Sequence, residues 1–548
     1  SSIIWSQLGG LSYKTINSKY KLNILNIFNG INTGTDLIQI DSNSNFETFQ
    51  KYNLEYNQKR ITNLQLSGMT NFTDSNSKIE WSLSPSFARV FDKDVRSTQF
   101  VIRDNQYSIF VNLLPTRIWR DLVEDNGVAK VDYTKIFKFK GVDSKLKLGL
   151  YGLYKTRDFS IFKYAIQVGA NQGAEGNPNA IIDANNIFTQ DNLNGNYIRF
   201  NSNESIENGT AYSSDIRNFA GYASTELNFS EKLKSTLGLR LEQYELFYTG
   251  QNSGGTINLS NEKIIEKLDI FPSINLVYNL TENKKIRTSY SKTTARPSFK
   301  EASVAQIYDP LSAFTFIGNI NIKPSYIDNI DIRFEKYTET SDFFAISGFY
   351  KFFKDPIELA TFEGSRNNFQ PRNLGNGQVY GMEIEYRKML RFINPNMAFR
   401  FNGSIIESQQ EIGQVERNLR EFYKRTGEEI SSTRTLQGQS PYLINSGLEY
   451  RDNENGNQIG LFYNVQGKTL QVVGLGDTSD IYTDPFHSLN FNLRKTFGAE
   501  KNKIITFKIS NLLGDTNESY YNSFNTPDQI FSLRDPGRSF SLGYSLKL

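Results

Sequence analysis

Residues 329–337 read NIDIRFEKY, and they lie within a stretch, residues 284–358, that decides the fold. Alternate residues of this segment form an apolar set and a charged set: Ile330, Ile332 and Phe334, and Asp331, Arg333 and Glu335. Because successive side chains of a β-strand point to opposite faces, the alternation predicts a strand with one apolar and one charged face. Residues 285–292, KIRTSYSK, predict a strand before it, and the aromatic segment 342–359 predicts a strand that returns after a turn at 338–341.

An apolar face opposite a charged face fits two architectures: a sheet with one wet side, and a membrane barrel with lipid outside and a polar lumen inside. The rhythm of the connections distinguishes them. Tight connections are predicted at residues 17–18, 74–77, 141–144, 230–232, 281–283, 339–340, 394–396, 453–456 and 499–502. Longer connections are predicted at residues 29–45, 92–115, 169–210, 252–261, 296–325, 363–368, 413–431, 474–482 and 515–535. The two kinds alternate along the chain, as the short and long connections of a membrane barrel do.

The fold class predicted for residues 1–548 is therefore all-β, a single transmembrane antiparallel β-barrel domain with about nineteen strands. Apolar side chains predicted to face lipid are Leu237, Leu239, Leu241, Ile330, Ile332 and Phe334. Charged side chains predicted to face the lumen are Arg240, Glu242, Asp331, Arg333, Glu335, Glu383, Glu385 and Arg387. The lumen charges are expected to hydrogen-bond whatever fills the lumen, which is a structural role before it is a substrate-specific one.

The C-terminal segment alternates strictly and is predicted to be the strand that closes the barrel. Its apolar positions are Phe540, Leu542, Tyr544, Leu546 and Leu548. An odd number of strands leaves edges at residues 5–15 and 540–548, and the N–H and C=O groups of an edge have no partner in lipid. We expect further strands to pair with both edges.

Composition supports this interpretation and excludes others. Hydrophobic residues make up 38% of the chain and aromatic residues 14%, while the mean hydropathy is −0.49. No run approaches the roughly 20 apolar residues of a membrane helix, but barrel strands need only one apolar face each. A net charge of +3 gives no electrostatic reason to expect a nucleic-acid partner. The chain has no cysteine, which fits an envelope protein without disulfides.

The sequence contains few residues suited to catalysis or to metal binding. His487 is the only histidine, so neither a Ser-His-Asp triad nor a histidine metal site is expected. Asp41, Asn43 and Asn45 match the first ligands of a calcium loop, but Phe46 stands where that loop needs glycine. We therefore expect no enzyme activity, no cofactor and no metal. Residues 416–426 predict either a short charged helix ending near Gly427 or an irregular loop, with equal weight.

Several short motifs resemble the barrel of TonB-dependent outer-membrane receptors, and more closely the receptors that carry a carboxypeptidase-regulatory-like domain ahead of their plug. They are RTSYS (287–291), ARPSF (295–299), FYK (349–351), DPIE (355–358), YGME (380–383), ISNLL (509–513) and the end from PGR (536–538). Their order and spacing cover essentially the whole sequence. The resemblance implies a plugged barrel of the 22-stranded type, of which this sequence would hold about the last nineteen strands without the plug and the first few strands.

The resemblance also implies a cell outer-membrane location and active import of a scarce or bulky substrate, driven through the plug by the TonB energy-transducing complex. Outer-membrane lipid and TonB are the implied partners. The alternative is a receptor-type barrel that serves as a structural or accessory subunit of a larger outer-membrane complex, for export or assembly of surface proteins. A surface lipoprotein or such a complex is then a further candidate partner.

Overall fold

The structure is a computed structural model that describes residues 1–41, 47–103, 106–109, 114–168, 198–201, 210–312, 314–338, 341–362 and 364–546. The described strands are β1 (Ser2–Lys14), β2 (Ser18–Asp41), β3 (Glu47–Phe72), β4 (Ser77–Arg103), β5 (Gln106–Ile109), β6 (Thr116–Phe139), β7 (Val142–Val168), β8 (Ile198–Asn201), β9 (Ala211–Asn228), β10 (Leu233–Gln251), β11 (Asn258–Thr281), β12 (Lys284–Ala295), β13 (Gln306–Asp309), β14 (Phe314–Ile317), β15 (Ser325–Tyr337), β16 (Phe343–Lys354), β17 (Ile357–Phe362), β18 (Ser365–Asn373), β19 (Gly377–Met389), β20 (Met397–Glu411), β21 (Thr433–Arg434), β22 (Tyr442–Asp452), β23 (Asn457–Gln466), β24 (Thr469–Val472), β25 (Asp480–Thr483), β26 (Phe486–Phe497), β27 (Lys503–Ser510), β28 (Asn517–Asn522), β29 (Gln529–Arg534) and β30 (Ser539–Leu546). An α-helix, α1, covers Gln414–Tyr423.

One large antiparallel sheet organises these strands. Its strands follow each other in the order β1-β2-β3-β4-β6-β7-β9-β10-β11-β12-β15-β16-β19-β20-β22-β23-β26-β27-β30. The sheet has 22 described strands, but the short β5, β8 and β21 only extend β4, β7 and β20. Nineteen strands therefore form the meander, which agrees with the number predicted from the sequence.

The antiparallel meander separates the two kinds of connection. Because neighbouring strands run in opposite directions, successive connections leave the sheet at opposite ends. The turns predicted to be tight lie at one end, and the longer connections lie at the other, which we call the mouth end. Glu339 and Thr340, in one predicted tight turn, lie outside the described residues.

Neither edge of the sheet has a second partner among the strands described. Strand β1 pairs with β2, and β30 pairs with β27, but no pairing joins β1 to β30 in this part of the chain. The C-terminal strand exists, and its residues Phe540 to Leu546 pair with Ile509 to Lys503, whereas Leu548 lies outside the described residues. Its role in closing the barrel stays a prediction.

Several connections predicted to be long are instead strands. Residues 29–41 belong to β2 and pair with β3 residue by residue, and residues 92–103 belong to β4. The connection predicted at 252–261 is also shorter, because Gln251 already pairs with Asn258. Above the bilayer both faces of a strand meet water, so the apolar alternation that reveals a strand in lipid disappears. Hydrophobic periodicity therefore underestimates how far these strands extend.

The sheet is consequently tall on one side and short on the other. The strands from β2 to β11 in the meander have 18 to 27 residues, whereas those from β12 to β30 have 8 to 15. Large apolar side chains remain exposed along one face, which we call the apolar face: Leu66, Leu83, Leu150, Leu237, Leu239, Leu241, Leu268, Ile270, Ile330 and Ile332. Among the described residues no helix is long and apolar enough to span a membrane.

Long connections of the short side fold into a second layer at the mouth end. Strands β13, β14, β18 and β17 form one four-stranded sheet, and β24, β25, β28 and β29 form another. A bridge between Ala360 and Val473 joins the two sheets. We call this layer, together with α1 and residues 424–441, the cap. Helix α1 starts two residues before its predicted start and ends at Tyr423, and Gly427, with a φ of 85°, lies in the following turn.

Candidate functional site

The eight charged residues that the sequence assigns to the lumen share one face of the main sheet, which we call the polar face. Arg240 and Glu242 alternate on β10 with Leu239, which is 48% exposed on the apolar face. Strand register carries the polar face from β10 to β15 and on to β19. On β15 the charged residues stand opposite residues of β16: Asp331 opposite Phe349, Arg333 opposite Ser347, and Glu335 opposite Ala345. On the other side of β16, Phe349 stands opposite Gly381, Ser347 opposite Glu383, Ala345 opposite Glu385, and Phe343 opposite Arg387. That this face lines a lumen stays a prediction.

Charges on this face pair with each other across strands. Glu335 is 6% exposed and accepts hydrogen bonds from Arg287 at 3.1 Å and Arg333 at 2.9 Å. The Tyr337 hydroxyl donates a third, at 2.9 Å. Arg333 also donates to Glu385 at 2.8 Å, so the network reaches from β12 to β19. Because the buried carboxylate has two cationic partners within the sheet, this network fixes strand register.

The first long connection of the short side, residues 296–324, folds back over the polar face. Arg296 anchors its start: its guanidinium donates to Glu242 and, at 3.0 Å, to Asp269. The same guanidinium lies 4.2 Å from the centre of the Tyr244 ring. Glu242 and Asp269 are buried, and two cations, Arg240 and Arg296, share the first of them. The second residue of the ARPSF motif is thus an arginine that ties the connection to β10 and β11.

An apolar cluster continues this attachment. Its buried members from the connection are Phe299, Ala302, Val304, Ala305 and Ile322, and those from the sheet are Tyr212, Tyr244, Leu246, Tyr248 and Ile265. The backbone N–H of Val304 donates to the Tyr248 hydroxyl at 3.2 Å. Burying these side chains removes apolar surface from water, which stabilises the connection against the sheet. The connection is therefore a fixed lining of the tall strands.

The middle of the same connection, residues 308–311, reaches β3 and β6. The Lys51 ammonium donates to the carbonyl oxygens of Pro310 at 3.1 Å and Leu311 at 3.2 Å. Arg120 donates to the carbonyl oxygen of Tyr308 at 2.7 Å. Burial lowers the pKa of Lys51, and the nearby carboxylate of Asp309 opposes this shift. The connection is thus held at its start and at its middle, across six strands of the meander from β10 back to β3.

Replacing Arg296 by leucine is expected to loosen residues 297–312, because Glu242 and Asp269 would lose a charged hydrogen-bond donor in a buried site. The opening free energy of this segment, measured by hydrogen exchange, should fall by about 1.5–3 kcal/mol. Lys263→Leu is the matched control, since Lys263 pairs with Glu245 at an exposed site and should change little. Equal protection in both variants would contradict the anchoring role.

Two long connections of the cap meet at a buried ion-pair cluster. Arg434 donates to both carboxylate oxygens of Glu358, at 2.9 and 2.6 Å, and to Glu416 at 2.8 Å. The side chains are 6%, 2% and 0% exposed, respectively. Burial alone would lower the pKa of Arg434, but hydrogen bonds to Glu358 and Glu416 and their charges raise it, so the guanidinium stays charged. A bidentate pair of this kind fixes both position and orientation.

Neighbouring contacts extend the cluster to a third connection. Arg420 of α1 donates to Glu416 at 2.9 Å and to Asp480 of β25 at 2.8 Å. The Gln437 side chain accepts from the backbone N–H of Leu359 at 2.6 Å and donates to its carbonyl oxygen at 2.8 Å. These contacts join different connections. The connections of the cap therefore cannot separate without breaking buried polar contacts.

Sequence reasoning does not find this cluster. Glu358 belongs to the DPIE motif, but the motif gives no partner, and Arg434 lies 76 residues further along the chain. Glu416 lies in the segment predicted as helix or loop, where its neighbours are mostly charged. The one usable signal is that α1 places Glu416 and Arg420 four residues apart, on the same side of a helix.

Two other features singled out in the sequence are the only histidine and the partial match to a calcium loop. His487 contacts the Tyr463 hydroxyl through its Nδ1 at 2.7 Å at an exposed site. Asp41 ends β2, whereas Asn43 and Asn45 lie outside the described residues. Where the structure describes the chain, no group of three or more His, Asp or Glu side chains is arranged to hold a metal ion.

Comparisons with known proteins bear on the family and the fold of the chain. The family model described as "TonB dependent receptor-like, beta-barrel" matches residues 7–512. No curated protein sequence matches the chain.

Solved structures share the fold at low sequence identity. The ferric preacinetobactin receptor BauA from Acinetobacter baumannii is 12% identical with a TM-score of 0.58, and the alignment covers 100% of this chain and 72% of that one. The pyoverdine outer-membrane receptor FpvA from Pseudomonas aeruginosa PAO1, bound to pyoverdine, is 11% identical with a TM-score of 0.57, covering 100% and 74%. The ferric citrate transporter FecA, unliganded, is 10% identical with a TM-score of 0.54, covering 100% and 78%.

Proposed function

The chain belongs to the TonB-dependent receptor β-barrel family and is an outer-membrane protein, and from this premise we propose that it actively imports a scarce or bulky substrate through a plugged barrel. The polar face, with its paired charges, is proposed to line the lumen and to contact the plug. The TonB complex, acting through the plug, is the proposed source of energy. No enzyme activity is proposed, since the sequence has a single histidine and offers little for a Ser-His-Asp triad.

One observation carries this proposal: the long connections at the mouth end form a preorganised cap. A receptor for a scarce substrate must bind tightly, and ordering flexible loops on binding costs affinity. Here the ordering is already supplied by buried pairs such as Arg434 with Glu358 and by hydrogen bonds between connections. A fixed surface above a polar channel suits capture followed by passage.

The alternative, a barrel that supports a larger outer-membrane complex, has its own observation. The cap exposes large apolar side chains to solvent: Val415, Phe422, Tyr423, Phe524, Ile530 and Leu533. Exposed apolar residues of this kind can mark a protein contact. A scaffold would use such a contact permanently, whereas an importer needs the mouth end to admit substrate.

Import and scaffolding predict different results in cells that produce the full-length protein. The cells are supplied with a mixture of compounds that are too large for porins. Ferric citrate and other iron chelates are included, because two of the similar structures are named for ferric ligands. Their depletion from the medium is followed by mass spectrometry, with and without a functional TonB. We expect at least one compound to be depleted only when this protein and TonB are both present.

Two controls make the comparison decisive. Cells without the protein report background uptake, and an Arg434→Leu variant tests whether the cap is needed. If no compound shows depletion that depends on both the protein and TonB, the import proposal fails. A loss of surface-exposed proteins on deletion of this protein, without any change in depletion, would favour the scaffold.

A further inference from the structure

The main sheet is split between β11 and β12. From the tight-turn end, these two strands pair as far as Ser273 and Ser291. Toward the mouth end β11 continues along β10 up to Asn258, and β12 continues along β15 up to Ala295. No pairing joins β11 to β12 there among the described residues. Two separate strand edges therefore face each other above the last pair, and we call this part of the wall the seam.

The seam begins inside the apolar part of the sheet. Strand register places Pro272, the first β11 residue of the seam, opposite Leu239, and it places Ile270 opposite Leu241. Pro272 has no N–H to donate, and a proline within a sheet is found where its nitrogen faces an unpaired side. Backbone groups at this depth have no water to bind in a bilayer, so a stretch without ladder hydrogen bonds is a weak line in the wall.

Side chains close the seam where strand pairing is missing. Asp269 of β11 is 8% exposed and accepts a hydrogen bond from the Tyr326 hydroxyl of β15 at 2.8 Å. Its other carboxylate oxygen accepts from Arg296 at 3.0 Å. Because Arg296 also donates to Glu242 of β10, it stays with the tall strands. The Tyr326 hydroxyl is therefore the group that reaches across the seam from the short side to the tall side.

The neighbouring strand junctions are built differently. Strand β10 pairs with β9 and with β11 over most of its length, and β12 pairs with β15 over its whole length. Separating either junction would break a row of backbone hydrogen bonds, which is costly in lipid. Separating the edges of the seam breaks side-chain contacts instead, and no strand needs to unfold.

We propose that the wall opens laterally at the seam, where the contact of Tyr326 with Asp269 holds it shut. The mouth end of an outer-membrane barrel faces the cell exterior, so an opening here would join the polar face to the hydrocarbon of the outer leaflet. Such a passage suits an amphiphilic molecule, whose apolar chain would lie between the two edges while its polar part stays on the polar face. The inference rests on the outer-membrane location and does not depend on what the protein imports through the lumen.

Lateral opening can be measured on the full-length protein in phosphatidylcholine vesicles by cysteine labelling, because the sequence has no cysteine of its own. The probe is a maleimide attached to an acyl chain, which is confined to the bilayer. Phe271→Cys lies on the polar face beside the seam, since Phe271 stands opposite Arg240. Asn275→Cys lies on the same face of β11, where the strand is paired with β12. We expect the probe to react with Phe271→Cys and not with Asn275→Cys.

Loss of the Tyr326 hydroxyl should increase this reaction. Tyr326→Phe removes a hydrogen bond to a charged group, so the labelling rate of Phe271→Cys should rise about tenfold. Tyr290→Phe is the matched control: the Tyr290 hydroxyl also donates to a carboxylate, Asp328, at 2.8 Å, but this contact joins β12 to β15 and does not cross the seam. It should leave the labelling rate unchanged.

Two further measurements complete the test. Ile270→Cys lies on the apolar face and should react in every background, which shows that the probe reaches this depth. A change of electrophoretic mobility on heating verifies that each variant is folded before it is labelled. The inference is overturned if Phe271→Cys reacts no faster than Asn275→Cys, or if the Tyr326 and Tyr290 variants label Phe271→Cys at the same rate.

Discussion

Replacing Arg434 by leucine is expected to open the cap. The change leaves two buried carboxylates, Glu358 and Glu416, without their shared cation, and an uncompensated buried charge costs about 3–5 kcal/mol. Hydrogen exchange in β17, α1 and β24 should rise together, since these elements belong to different connections that the buried cluster and its neighbouring contacts join. The main sheet should keep its protection, because its strands are paired independently of the cap.

Two further variants separate loss of a buried ion pair from a general effect of mutation. Arg366→Leu removes a pair with Asp477 whose side chains are 63% and 41% exposed, so little change in cap protection is expected. Combining Arg434→Leu with Glu358→Leu and Glu416→Leu removes the uncompensated charges and should recover much of the protection. Unchanged exchange in Arg434→Leu would mean that the cluster does not hold the cap.

The sequence predicts the part of the fold that a bilayer constrains. Where lipid lies on one side and a polar space on the other, side chains must alternate, and residues 329–337 show this directly. The alternation placed Asp331, Arg333 and Glu335 on one face and Ile330 and Ile332 on the other, which is how β15 lies in the structure. The number of strands in the meander follows from counting such segments and the turns between them.

What the sequence does not predict lies outside the bilayer. Residues 29–41 are mostly polar, and nothing in their pattern distinguishes a strand in water from a loop, so their pairing with β3 is missed. The cap is missed for a different reason: its contacts join residues far apart in sequence, as Arg434 and Glu358 show. Such pairings depend on which connections the meander brings together, and that becomes visible only once the strands are placed.

The same reasoning explains which residues of the candidate site can be predicted from the sequence and which cannot. The polar-face residues Arg240 and Glu242 are predictable because strand alternation fixes their side. Arg296 is not, although it belongs to a quoted motif, because its partners Glu242 and Asp269 lie on strands that precede it in the chain. A motif identifies a residue that matters, whereas the topology decides what it contacts.

Placing a charge in the middle of the apolar face should produce the other large effect. Leu239 lies on β10 between Leu237 and Leu241, and all three are exposed on this face. If the face meets lipid, Leu239→Arg should lower the free energy of unfolding by about 2–4 kcal/mol, the cost of an arginine near the bilayer midplane. The measurement is a reversible denaturant titration of the full-length protein in lipid vesicles.

A control on the same strand tests the depth dependence that makes this argument specific to a membrane. Gln243 alternates with Leu239 and Leu241 on the same face, but it lies nearer the mouth end. It stands between Phe219 and Leu268, in the last row before the charged row of Arg217, Glu245 and Glu266. An arginine there should cost only about 0–1 kcal/mol, because a long cationic side chain near the interface reaches the headgroups. In a sheet with a water-facing side, arginine would be tolerated equally at both positions, because the exposed leucines would already lie in water. Equal and small effects at Leu239 and Gln243 would therefore contradict the lipid-facing assignment, whereas a large effect at Leu239 alone requires an apolar medium against this face.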